Sequence, residues 1–239
     1  MDDIREGLGR KTMKVEEKEV LDAYEIFFEA FKMKKEDFYN FGLEHTIFLP
    51  DNLVKEYWEN LKKRVLENEE VYIRGYGRDA HGTKLYLELH KKLFQNEKVK
   101  KDPTNNTRPQ KIVQQLTGRR RKKDLLNYQV SHIFGMTRNA LMFEAPWNIA
   151  LVPKIIDPFT GHESNGPYAK EYQELFLKTV REKYQDYISE YNEIIEQYEC
   201  HKKIIDFVQN DAKLIISDYS TESKQKKLLT AFENDFKLL

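Results

Sequence analysis

Three side chains in the middle of this 239-residue chain have the types and spacing for hydrolytic chemistry. His132 closes a short alternating run, Val130-Ser131-His132-Ile133. Asn148 lies inside Pro146-Trp147-Asn148-Ile149-Ala150-Leu151. His162 follows a loop that carries Pro153, Pro158 and Gly161. A phosphodiester is very stable, so its cleavage needs an activated water and neutralisation of the charge on phosphate and leaving oxygen. A histidine that titrates near neutrality can take the proton from water. A divalent ion stabilises developing charge as a Lewis acid. Mg²⁺ prefers oxygen ligands and keeps several waters, so one or two protein groups suffice to hold it, and an asparagine carbonyl oxygen is a suitable donor.

These side chains need a rigid frame, and the surrounding pattern predicts a hairpin followed by a helix. After Pro167, at a position suited to a first helical turn, apolar residues recur every three or four positions from Tyr168 to Tyr198. This tyrosine-rich stripe reads as a packing face rather than a base-stacking platform. Upstream, helical spacing marks 14–33, and 51–66 with Asp51 as its cap. It also marks 83–94, a short segment at 110–116 and a last helix at 221–237. Residues 70–76 read as a strand. The polar stretch 100–109 reads either as a connector between two lobes or as a segment lying on nucleic acid. Phe143 and Trp147 read as core.

The stretch from about 119 to 180 resembles the HNH, or ββα-metal, endonuclease family, with His132, Asn148 and His162 as the matching residues. Ser-His-Ile is similar to that family's Asp-His-Ile, and Trp-Asn-Ile-Ala-Leu-Val to its Asn-Leu-x-x-Leu turn. Trp147 and Asp157-Pro158-Phe159-Thr160-Gly161-His162-Glu163 look most like restriction-type members. The resemblance implies that His132 is the general base, that Asn148 braces the loop or binds metal, and that His162 supplies the last motif position. Ser131 stands where the family has Asp, so the ion would rest on fewer protein groups. Asn148, His162, Glu163 and Asn165 are the possible ligands. The expected cofactor is Mg²⁺ or Mn²⁺, and Cys200 as the one cysteine excludes a cysteine-type structural zinc.

Net charge is zero, so distribution matters more than the sum. Between Lys98 and Lys123 ten basic residues face one acid, Asp102, a local charge of +9. A basic stripe ahead of a nuclease-like hairpin suits phosphate binding. The expected nucleic-acid contacts are Arg108, Lys111, Arg119, Arg120, Arg121, Lys122, Lys123 and Arg138. No run of eighteen apolar residues and no signal peptide is read, so a cytoplasmic protein without a membrane partner is expected. The predicted fold class is α+β and predominantly helical. A mainly helical region over 1–100 would serve recognition or dimerisation. A ββα-metal core with its basic lead-in would fill 101–180, and C-terminal helices over 181–239 would pack on the core or on a partner subunit.

The expected function is sequence-specific, type II-like cleavage of double-stranded DNA by a homodimer. The alternatives are a nucleic-acid-binding protein with an inactive HNH-like fold, favoured by Ser131, and a non-specific nuclease toxin.

Overall fold

The computed structural model describes residues 20–76, 80–120, 122–161 and 163–239. It is an α+β fold, predominantly helical. Its centre is a three-stranded antiparallel sheet of β1 (Ile47–Phe48), β4 (Tyr128–His132) and β5 (Ile149–Pro153), in the order β1-β5-β4. β5 is the middle strand and every residue of it is buried. That explains its unbroken apolar sequence, since a strand covered on both faces needs no polar alternation. β4 pairs with β5 from Tyr128 opposite Pro153 to His132 opposite Ile149. The pairing holds His132 at the end of the ladder, where the chain leaves the sheet.

The N-terminal part supplies α1 (Ala23–Phe31), α2 (Lys35–His45) and α3 (Asp51–Leu66). α1 is shorter than the helix expected over 14–33: the Asp22 side chain accepts from Tyr24 N at 2.9 Å and caps it, Lys32 ends it in a left-handed conformation, and 14–19 lie outside the described residues. α2 was not foreseen. α3 has the expected extent, but Pro50 holds the cap position and Asp51 is the first helical residue. The Asp51 carboxylate instead pairs with Lys183 at 2.9 Å.

A second sheet is a parallel pair, β2 (Val71–Ile73) and β3 (Val99–Lys101), joined through α4 (Ala80–Phe94). Lys100 and Lys101 of the polar stretch therefore close a βαβ unit as part of β3, and the rest of the stretch is a turn beyond it. It leads into α5 (Thr107–Thr117), and Asp102 does more than oppose the basic run. Fully buried, it accepts from Thr107 N at 3.0 Å and Arg108 N at 2.7 Å, satisfying orphan donors of the first turn of α5.

The expected C-terminal helix is interrupted. α7 (Pro167–Lys183) stops at Tyr184, whose φ of −119° and ψ of 25° are not helical, and α8 (Gln185–Gln197) starts at the next residue. The aromatic stripe packs inward as expected, with Tyr172, Phe176, Val180, Tyr184 and Tyr191 buried. After α9 (Cys200–Asp206), a π-helical turn and α10 (Ala212–Ile215), the last helix is α11 (Glu222–Asp235). One contiguous hydrophobic cluster links residues from Phe28 to Phe236. Among the described residues no helix is long and apolar enough to cross a membrane.

Candidate functional site

Between β4 and β5 the chain makes a sixteen-residue excursion, 133–148, rather than a tight turn. Gly135 and Met136 take positive φ of 66° and 54°, and the chain then folds into the short helix α6 (Ala140–Phe143). Asn139 caps α6 by accepting from Leu141 N at 3.0 Å.

Asn148 braces this excursion. Its Oδ1 accepts from Phe134 N at 2.8 Å. Its Nδ2 donates to Met142 O at 2.9 Å and Gly135 O at 3.2 Å, and its own carbonyl accepts from Ile133 N at 2.9 Å. The side chain is fully buried. Of the two expected roles the structure favours the brace: the only oxygen a metal could use already accepts a backbone N–H.

The brace shapes the surroundings of His132. The ring stacks on Phe143 with centroids 5.3 Å apart and planes 15° from parallel. Its Nε2 lies 3.0 Å from Phe143 O. A carbonyl only accepts, so Nε2 carries the hydrogen, and in the neutral ring the basic lone pair is on Nδ1.

His132 lines a polar cleft of about 500 Å³ together with Ser131, Asp157, Glu163, Arg74 and Arg138. Of the expected metal ligands only Glu163 among the described residues reaches it. Asn165 lines a separate surface recess beside Val20 and Ser164, so it is not a ligand at the His132 site. His162 lies outside the described residues. Among the described residues no three His, Cys, Asp or Glu side chains cluster as a metal site. Of the three carboxylates at the cleft, Asp235 is paired with Arg138, and the other two, Asp157 and Glu163, are hard oxygen donors. They suit an Mg²⁺-type ion that keeps most of its waters.

Sequence reasoning missed three cleft residues. Asp157 stood in a quoted motif without a role. Arg74 arrives from the end of β2 because its N–H donates to Thr137 O at 2.8 Å. Asp235 comes from the end of α11. Neither of the last two has a local signal.

The basic residues divide. Lys111, Arg119, Arg120, Lys122 and Lys123 are exposed, as phosphate contacts must be, and Arg121 lies outside the described residues. Arg120 is 3.8 Å from Asp124. Arg108 is a correction. Its Nε and a terminal nitrogen donate to the two oxygens of Glu144 at 3.1 and 3.2 Å. Glu144, fully buried, also accepts from Arg64 at 2.8 Å and Tyr72 N at 3.0 Å. Arg108 neutralises a buried carboxylate through two of its nitrogens and, unlike Arg138, does not line the His132 cleft, so its place is in this ion pair.

A family model described as Uncharacterised protein PM1201 matches residues 49–237, a range that contains every cleft residue named above. Uncharacterized protein PM1201 of Pasteurella multocida (strain Pm70) is 44% identical over 178 residues, which cover 74% of this chain and 80% of that protein. No solved structure matches.

Proposed function

The chain belongs to the family described as Uncharacterised protein PM1201, and from the geometry of its cleft we propose that it is a metal-dependent endonuclease of the HNH, or ββα-metal, type that hydrolyses double-stranded DNA. The observation that carries this reading is the setting of His132. It ends the first strand of a hairpin, its Nε2 is bound to a backbone carbonyl of the intervening loop, and an asparagine braces that loop. A ring so oriented directs one tautomer, with Nδ1 as the proton acceptor. The helix α7 follows β5, completing a strand–strand–helix order.

In the proposed reaction, His132 Nδ1 takes a proton from a water as that water's oxygen bonds to phosphorus. The bond from phosphorus to the leaving sugar oxygen breaks. Neutralising charge on the phosphate and leaving oxygen is what Mg²⁺ or Mn²⁺ would supply when bound, and the cleft residues Asp157 and Glu163 would hold it. Arg74 and Arg138 bring positive charge to the same cleft. Sequence preference of the restriction type and action as a homodimer belong to the same proposal and rest on the family resemblance.

A binding protein without cleavage is the second reading, because Ser131 lines the cleft where a carboxylate is expected. Nicking of supercoiled plasmid with and without Mg²⁺ separates the two. Wild type should nick only with metal, and His132→Ala should be slower by at least ~10²-fold, the scale of a lost general base, with DNA binding retained. Absence of metal-dependent nicking by wild type, or a wild-type rate in the variant, refutes the nuclease reading.

A further inference from the structure

Arg138 is not an ordinary surface cation. Its side chain is 30% exposed and lines the cleft beside His132, and its Nε sits 2.7 Å from Asp235 Oδ2. Its guanidinium carbon is 4.9 Å from the Tyr76 ring and 5.4 Å from the Tyr86 ring. Asp235, whose side chain is 3% exposed, is held in turn: the Tyr86 hydroxyl donates to Oδ2 at 2.5 Å, and the Asp235 carbonyl accepts from Asn139 Nδ2 at 3.1 Å. The end of α11 is therefore latched to residues 138 and 139 from below.

We propose that Arg138 is a phosphate ligand of the cleft and that Asp235 is its positioning residue, which makes α11 part of the substrate-binding machinery. The proposal rests on the nuclease reading and names how the substrate's backbone is held. A guanidinium has five N–H donors, and Asp235 holds this one through an ion pair at Nε rather than an aligned hydrogen bond, which leaves the two terminal nitrogens as the pair suited to two phosphate oxygens. The tyrosine rings and the carboxylate fix the fork beforehand, so little side-chain freedom is lost when an anion binds.

Charge and position predict opposite signs at Asp235. Removing a carboxylate beneath an anion site strengthens anion binding if charge alone matters. It weakens binding if the carboxylate aims the guanidinium.

The test is fluorescence anisotropy of the full chain on a labelled DNA duplex, with Ca²⁺ replacing Mg²⁺, across a salt series. Arg138→Lys keeps the charge and loses the fork, and should bind about tenfold more weakly, the scale of one charge-assisted hydrogen bond. Asp235→Asn should also weaken binding about tenfold, with no further loss when added to Arg138→Gln. Arg138→Gln should lower the salt slope by about 0.9. Wild-type affinity in Arg138→Lys, or equal or tighter binding by a folded Asp235→Asn, overturns the proposal while leaving the nuclease reading standing. If circular dichroism shows Asp235→Asn unfolded, the two Arg138 variants decide. A wild-type chain that binds no duplex overturns both readings.

Discussion

Replacing Asn148 by alanine separates a brace from a metal ligand, because the two roles predict effects on different observables. The substitution removes three side-chain hydrogen bonds, to Phe134 N, Gly135 O and Met142 O. Met142 is buried, so its carbonyl loses its partner away from water, whereas Phe134 and Gly135 are half-buried and water recovers part of their loss. Taking the full cost of an unsatisfied group at the first and a smaller one at the others gives about 3–4 kcal/mol. For a chain of this size that corresponds to roughly 6–16 °C in Tm. Asn148→Asp should be no better, since it restores the acceptor for Phe134 N but turns an oxygen toward two carbonyls. Urea unfolding gives the stability change, and nicking rates over a Mg²⁺ titration give the metal requirement. A brace predicts a large fall in urea midpoint with an unchanged half-saturating Mg²⁺ concentration in the fraction that remains folded. A stable Asn148→Ala chain that needs far more Mg²⁺ refutes this reasoning and restores Asn148 as a ligand.

What the sequence revealed about this site depended on how local the interactions are. The tyrosine stripe and most helices follow from spacing, because burial of one helical face needs no knowledge of its partner. The importance of Asn148 was legible for the same reason, as its three partners lie within fourteen residues. Its role was not, since an amide oxygen suits a metal and a backbone N–H equally well. Arg108 shows the limit of charge counting. In sequence it belongs to a basic run, but its partner Glu144 comes from the excursion after β4, and the pairing exists only once α5 and that excursion pack together. Asp102 makes the same point with opposite sign: the one acid of the run is buried at a helix start. The cleft itself was half legible. His132 and Glu163 belong to the recognisable stretch, whereas Arg74 and Asp235 reach it through a backbone bond to Thr137 and a latch to Asn139.

Two further predictions follow from charged and titrating groups. Changing Arg119, Lys122 and Lys123 together to Gln should weaken DNA binding evenly across sequences and lower the salt slope by up to about 0.9 per lost contact. An unchanged slope in anisotropy titrations makes these exposed side chains solvated surface only. His90 should make stability fall with acid. Its ring is fully buried, with Nδ1 against Tyr86 O at 2.7 Å and Nε2 accepting from Ala140 N at 3.1 Å, so it must be neutral in the fold. Burial lowers its pKa from 6.5 to about 4. Between those values the unfolded chain binds a proton that the folded chain does not, so its contribution is complete above pH 6.5 and is lost as pH falls toward 4. The slope from this one group reaches about 1.4 kcal/mol per pH unit. Urea midpoints of wild type and His90→Gln measured across this window should diverge, with wild type the steeper. Parallel pH profiles mean that His90 is protonated in the folded chain, and that the ring is not the neutral acceptor of Ala140 N that the geometry requires.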